Sequence, residues 1–282
     1  MGYFQQLEKR QHEKKSLLCA GLDIDLDKIP ACFTGSSRFV NFGDAFIEAV
    51  APHVAVIKIN FAFIARRGMF LELNEFVHKA HHLGLLVILD GKFGDIGNSS
   101  EMWAGFAFDY VGADAVTVHP YMGGDSVKPF LDYADKGVYV LCRTSNESAK
   151  DFQSLEVVHS TLLGGTAPLY QVVAERAKQW NRHGNCGLVI GATAPSELNL
   201  ILEKTDYMAS LIPGVGAQGG KESDIVPLFG KSITTINQSR SLMYPKKAYE
   251  TKSPDEYVQI VGTGAAVAAE EINKYVTITG GY

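Results

Sequence analysis

Three charged side chains about a third of the way along the chain are the first candidates for chemistry. The stretch Leu89-Asp90-Gly91-Lys92-Phe93-Gly94-Asp95-Ile96-Gly97-Asn98 follows an apolar run at residues 85–89 and puts Asp90, Lys92 and Asp95 within six residues. The run is rich in Leu, Val and Ile and is bounded by glycines, as a buried strand would be. Side chains two apart on a strand face the same side, so Asp90 and Lys92 emerge together at its end. Gly94 and Gly97 let the backbone swing Asp95 round. The other reading is a solvated strand end whose ion pair stabilises little.

Lys58 is a second anomaly. It interrupts the apolar run VAVIKIN at residues 54–60, where an unpaired lysine would be costly to desolvate. Asp90 and Asp95 are its natural partners. An alternating cluster of Lys58, Asp90, Lys92 and Asp95 would keep every member ionised and leave Lys92 a charged, oriented ammonium. A purely structural network at the same place would account for the charges without catalysis.

Further along, Gly214, Gly216, Gly219 and Gly220 fall within seven residues, in the turn PGVGAQGG. Such a turn lets backbone N–H groups approach phosphate oxygens. Arg240, beyond the next apolar run, could add a planar, two-pronged contact to the same anion. Taken singly, these features read as a flexible turn and a surface arginine. Other familiar chemistries lack their signatures: the sequence has no H-E-x-x-H, no closely spaced His/Cys set for zinc and no G-x-S-x-G.

A repeating unit must position these residues. Strand-like runs lie at 17–24, 54–60, 85–90, 113–119, 138–143, 186–191, 207–212 and 232–237. Helices are expected between them: over 4–15 at the start, then 43–50, 73–82, from a Ser99 or Ser100 cap to 111, 126–134, 169–180, from Pro195, and 254–275. The connection 144–166 is long and polar, a length usual for functional or disordered segments. Alternation of this kind implies parallel βαβ units, and eight of them imply an α/β (β/α)8 barrel. One barrel domain over residues 1–282, with a short N-terminal helix, is expected, and a doubly wound open sheet is the alternative. A barrel carries its site at the C-terminal ends of the strands, with phosphate often held after the last two. Taken in order, those ends carry Asp23; Lys58; Asp90, Lys92 and Asp95; His119; Thr144-Ser145-Asn146; residues 213–220; and residues 237–240. His119 could line the site or pack as a rim histidine.

The whole-chain numbers fit such a domain. The 282 residues are 46% hydrophobic and 20% charged, with a net charge of -5. That balance supports a sizeable core and argues against nucleic acid as a partner, but not against a small phosphorylated ligand. The four cysteines have no C-x-x-C spacing, which points to a reduced, cytoplasmic protein. The charged, mixed N-terminal residues are unlike a signal peptide, and no run approaches the roughly 18 apolar residues of a membrane span.

The motifs together resemble the orotidine 5′-phosphate decarboxylase family. Its D-x-K-x-x-D-I signature is present as Asp90 to Ile96, and GLDID and VIKIN before it and CRTSN, PGVGAQGG and INQSR after it stand in the family's order, over about residues 14–275. The phosphate loop has Gly216 where P-G-[IV]-R is commoner, which resembles the second bacterial branch of the family. The resemblance implies decarboxylation of orotidine 5′-phosphate to UMP, without metal or organic cofactor, in a homodimer with shared active sites. It implies that Lys58, Asp90, Lys92 and Asp95 form the charged network and that Lys92 protonates C6. Asp90 would lie beside the substrate carboxylate, and Asp95 would reach into the neighbouring subunit's site. Asp23 would bind ribose hydroxyls, Ser145 the pyrimidine, and Gln218, Gly219 and Arg240 the phosphate end, with Ile96 and Ser99 also at the substrate. A stand-alone form is expected, without a fused phosphoribosyltransferase domain. A magnesium-dependent sugar-phosphate decarboxylase or aldolase of the same superfamily, and a non-catalytic phosphate-ligand binder, are the alternatives.

Overall fold

Each apolar run forms a strand, and eight strands close into a parallel barrel in the computed structural model, which describes residues 1–159, 165–192, 195–214 and 232–278. The strands in chain order are β1 (Leu18–Leu22), β2 (Val56–Asn60), β3 (Leu86–Phe93), β4 (Ala115–Val118), β5 (Gly137–Arg143), β6 (Glu156–His159), β7 (Gly165–Pro168), β8 (Cys186–Ile190), β9 (Ser210–Pro213) and β10 (Thr234–Gln238). Around the barrel the order is β1, β2, β3, β4, β5, β8, β9, β10 and back to β1. The pair β6 and β7 is a separate antiparallel hairpin. The helices are α1 (Tyr3–Lys14), α2 (Arg38–Val50), α3 (Phe61–Ala65), α4 (Phe70–His82), α5 (Gly97–Gly105), α6 (Gly124–Leu131), α7 (Leu169–Trp180), α8 (Pro195–Lys204), α9 (Arg240–Met243) and α10 (Pro254–Ile278).

Period-two alternation divides the buried side chains into two cores. On β3, Val87 and Leu89 join the layer between strands and helices, while Leu86 and Ile88 point into the lumen. The N-terminal helix does more than its polar composition suggests. Its Tyr3, Phe4 and Leu7 are buried against lumen residues such as Cys19, Val56 and Tyr139, and so close the N-terminal mouth. Tyr3 and Phe4 meet the Tyr139 ring edge-on, and buried Gln11 donates to the Thr234 carbonyl at 2.9 Å. With that end plugged, the lumen opens at the C-terminal ends of the strands.

Two local expectations are corrected. The serine cap is not formed: α5 begins at Gly97, and Ser100 Oγ instead donates to the Ser126 carbonyl at 2.6 Å, tying α5 to α6. The helix does not run on to residue 111 unchanged but passes into a π-helical turn over Phe106–Tyr110. The long connection after β5 holds a short 3-10 turn over Glu147–Asp151 and the β6–β7 hairpin; residues 160–164 of it lie outside the described residues. Among the described residues no helix is long and apolar enough to cross a membrane.

Candidate active site

The parity that builds the lumen also delivers the site. Cys19 on β1, Val56 on β2, Ile88 on β3 and Ala115 on β4 face inward, so Asp23, Lys58, Asp90 and Thr117 follow on the same side at the open end. There they line a cavity of about 420 Å³, within the range of small-molecule sites. Lys92, Ser145 and Arg240 line it as well, and Leu141, Val189, Leu211 and Pro213 supply apolar surface.

Asp90 is the hub. Its Oδ2 accepts Lys58 Nζ at 2.6 Å, and its Oδ1 accepts Lys92 Nζ at 2.7 Å and Thr117 Oγ1 at 2.8 Å. The Lys58 and Asp90 side chains are each 7% exposed, whereas Lys92 is 52% exposed toward the cavity. Burial opposes ionisation of Asp90, but the Lys58 and Lys92 charges and their hydrogen bonds outweigh it and hold the carboxyl well below the usual range. Burial likewise pulls the Lys58 ammonium down, and the charges of Asp90 and Asp23 with the Asp90 hydrogen bond push it above its ordinary value. The buried charges are therefore kept as a set.

Backbone geometry aims Lys92. The β3–β4 register runs Leu89↔Val116 and then Phe93↔Val118, so β3 carries two residues more than β4 and bulges across Asp90 to Lys92. Lys92 sits in that bulge at φ 48°, left-handed backbone that costs a residue with a side chain about 1–2 kcal/mol.

The rest of the cavity is polar and partly unsatisfied. Asp23 Oδ1 and Asn237 Oδ1 are buried and accept no hydrogen bond among the described residues, which leaves both available to a ligand's hydroxyl or N–H groups. At the β9–β10 side, Pro213 and Gly214 (φ 94°), the first residues of the glycine-rich stretch, line the cavity. Arg240 lines the cavity as the first residue of the short helix α9, not as part of an extended strand exit. Ser145 lies in a loop fixed from behind: Thr144 N donates to Gln153 Oε1 at 2.9 Å, and Arg143 Nε donates to Glu197 Oε2 at 2.6 Å.

Not every expected residue converges. Asp95 does not join Lys58 and Asp90 within this chain; its Oδ1 accepts the Ile96 N–H at 2.8 Å in a local turn. Asp95, Ile96 and Ser99 are not among the residues lining the cavity, and Ile96 is 61% exposed. The physical reason is the bulge and the turn after Phe93, which carry the loop off the lumen axis. Gln218 and Gly219, with Gly216 and Gly220, lie outside the described residues. His119 does not line the cavity either; its ring packs on Gly94, where a Cβ would come within 2.1 Å of Nε2. Thr117 escapes the sequence reading, although it is a polar residue at an inward position of an apolar run, the signal that picks out Lys58, while Asn237, expected at a strand end, does line the cavity. Among the described residues no three His, Cys, Asp or Glu side chains converge to hold a metal ion.

Beside the cavity lies an apolar face. Phe61 packs against Phe70, Phe93, Trp103 and Phe106, and Trp103 stacks on Phe93. Leu71, Ile96, Met102 and Tyr110 around it are exposed. Clusters of this kind mark interaction surfaces.

Comparison with known proteins identifies the family of this barrel. The family model described as "Orotidine 5'-phosphate decarboxylase / HUMPS family" matches residues 16–242. An orotidine 5′-phosphate decarboxylase of Natronomonas pharaonis is 38% identical over 98% of this chain and 100% of its own length. That of Ralstonia pickettii is 40% identical, over 98% and 99%. Among solved structures, the Leishmania donovani OMP decarboxylase superposes with a TM-score of 0.79 at 34% identity, covering 98% of this chain and all of that one. On its sequence, its closed barrel and its full-length relatives, the chain belongs to the orotidine 5′-phosphate decarboxylase family.

Proposed function

We propose that Lys92 carries the proton-transfer step by which this chain decarboxylates orotidine 5′-phosphate, the reaction of its family in pyrimidine biosynthesis. The observation that carries the reading is the buried Asp90 carboxylate held by two ammoniums at the base of the cavity. As the bond from C6 to the carboxylate breaks, its electron pair stays on C6 and carbon dioxide leaves. The Lys92 ammonium faces that developing charge and gives C6 its proton, so UMP forms and solvent re-protonates the amine. Asp90 anchors the ammonium and, beside the substrate carboxylate, repels it until carbon dioxide departs. Lys58 neutralises the other oxygen of Asp90, so the carboxylate persists in a dry site.

The remaining roles follow the cavity's chemistry. Asp23, with an unpartnered buried oxygen, accepts a ribose hydroxyl, and Ser145 meets the pyrimidine. Arg240, with Gln218 and Gly219 of the glycine turn, holds the phosphate. Binding energy there, remote from C6, helps keep the charges in place. The aromatic face with Ile96 and Met102 is the dimer contact, and Asp95, Ile96 and Ser99 complete the partner subunit's site across it. This reading gives Asp95 a role although it lies off its own chain's cavity. Four free cysteines, three of them buried, fit a reducing cytoplasmic compartment.

The test is the loss of orotidine 5′-phosphate absorbance with purified protein, with and without a chelator, beside Lys92→Ala. Turnover indifferent to the chelator and abolished by the substitution supports the reading. Absence of turnover from well-folded protein, or turnover that the chelator removes, rejects it.

A further inference from the structure

We propose that Thr117 is a positioning residue for Lys92, holding the strained β3 bulge and the Asp90 carboxylate through a single hydroxyl; this rests on the reading of Lys92 as the proton donor. Thr117 lies on β4, is 1% exposed, and points into the lumen between the helix-facing residues Val116 and Val118. Its hydroxyl has both roles assigned by its partners. The Lys92 backbone N–H can only donate, so Thr117 Oγ1 accepts it, at 3.0 Å. The ionised Asp90 carboxylate can only accept, so the Thr117 proton goes to Oδ1, at 2.8 Å.

The position of this hydroxyl matters because of what the bulge removes. Two extra residues on β3 take the Lys92 N–H out of the regular ladder with β4, and Thr117 Oγ1 supplies the acceptor. Lys92 holds a positive φ there, a conformation that persists only where its surroundings enforce it. The long Lys92 side chain is half-exposed and tethered at its tip only through Asp90 Oδ1 among the described residues, the same oxygen that Thr117 contacts. One side chain thus grips both ends of the path from the Lys92 backbone to its ammonium. A valine is nearly the same shape but offers neither bond. Leu141 and Val189, also lining the cavity, offer no substitute.

The experiment compares Thr117→Val and Thr117→Ser with wild type and with Lys92→Ala in the absorbance assay, alongside thermal unfolding and UMP binding by calorimetry. A small misplacement of a reacting group can cost about 10²-fold. Thr117→Val should therefore lose about 10²-fold in kcat with KM and UMP affinity within about threefold, and Thr117→Ser should restore kcat to within about threefold of wild type. Should Thr117→Val fail to fold, Thr117→Ala, which also lacks the hydroxyl without adding bulk, takes its place. Undiminished kcat without the hydroxyl, equal losses in the serine and hydroxyl-free variants, or a rise in KM alone would each overturn the proposal. Lys92→Ala separates the two claims: if it keeps turnover the proton-donor reading fails, and if it alone loses turnover only the role of Thr117 does.

Discussion

Replacing Lys58 with methionine tests whether the buried pair is held as a unit. Lys58 Nζ lies 2.6 Å from Asp90 Oδ2, and both side chains are 7% exposed, so the substitution leaves half of a buried carboxylate unpaired. Removing one partner of a buried ion pair costs about 3–5 kcal/mol. Asp90 keeps Lys92 and Thr117 on its other oxygen, which argues for the lower end, about 3 kcal/mol. In a barrel of this size that is a fall of roughly 6–12 °C in Tm. Pairing Lys58→Met with Asp90→Leu should recover most of the loss, since apolar replacements of buried pairs are often neutral. The pH dependence has a definite sign. In wild type, Asp90 is depressed, so its contribution is present above the ordinary carboxylate pKa of about 3.9 and is lost only as pH falls through its lower folded value. Lys58 is raised, so its contribution is complete below about 10.4 and is lost as pH rises through its higher folded value. In the variant, Asp90 is left with burial less opposed, its pKa climbs, and protonation relieves the cost. The deficit should therefore be full from neutral pH down to about 4 and shrink only as pH falls below that, through the variant's Asp90 pKa. Urea unfolding followed by circular dichroism across that range measures it. A deficit below about 0.5 kcal/mol at neutral pH, or one that pH does not change, would refute the reasoning.

Other expectations are equally concrete. If Arg240 holds the phosphate as proposed, Arg240→Ala forfeits a charge-assisted contact of about 1.5–3 kcal/mol, so KM should rise roughly 10- to 150-fold with kcat nearly unchanged, as steady-state kinetics will read. Gly21→Ala would put a Cβ 1.9 Å from Ser239 Oγ and 2.7 Å from Ser239 Cβ, forcing the turn before Arg240 to move. KM should climb at least about tenfold, and an unchanged KM would dissociate that turn from substrate binding. If the exposed aromatic face is the proposed dimer contact, Met102→Glu places a charge in it, so sedimentation should show dimers for wild type and monomers for the variant, with activity falling in parallel.

The barrel was legible because its signal repeats. Eight apolar runs separated by amphipathic stretches leave few topologies, and strand parity then forces Asp23, Lys58 and Asp90 into one lumen. Lys58 stands out because a lysine in an apolar strand needs a partner, and Asp90 is that partner. What local sequence conceals depends on tertiary geometry. The plugging role of α1 comes from Tyr3, Phe4 and Leu7 meeting residues far away in the chain, and a mean composition rich in Gln, Glu and Lys hides it. The bulge in β3 is invisible to period-two reading, which sends Asp90 and Lys92 to one face but cannot show that Lys92 bends into left-handed backbone. Asp95 lies apart from the in-chain cluster for the same reason: the turn after Phe93 carries it off its own lumen, a position compatible with a place at a neighbouring subunit's site. Thr117 escaped because threonine is an ordinary strand residue, and only its bonds to Asp90 and the Lys92 backbone distinguish it.

The central claim is that Lys92 performs chemistry and does not merely hold the nucleotide. Measuring both UMP affinity and the single-turnover decarboxylation rate for Lys92→Ala tests it most directly. The predicted result is a Kd within about tenfold of wild type and a rate lower by at least about 10³-fold, the scale of a lost proton donor. A variant that decarboxylates within about tenfold of the wild-type rate would contradict the account.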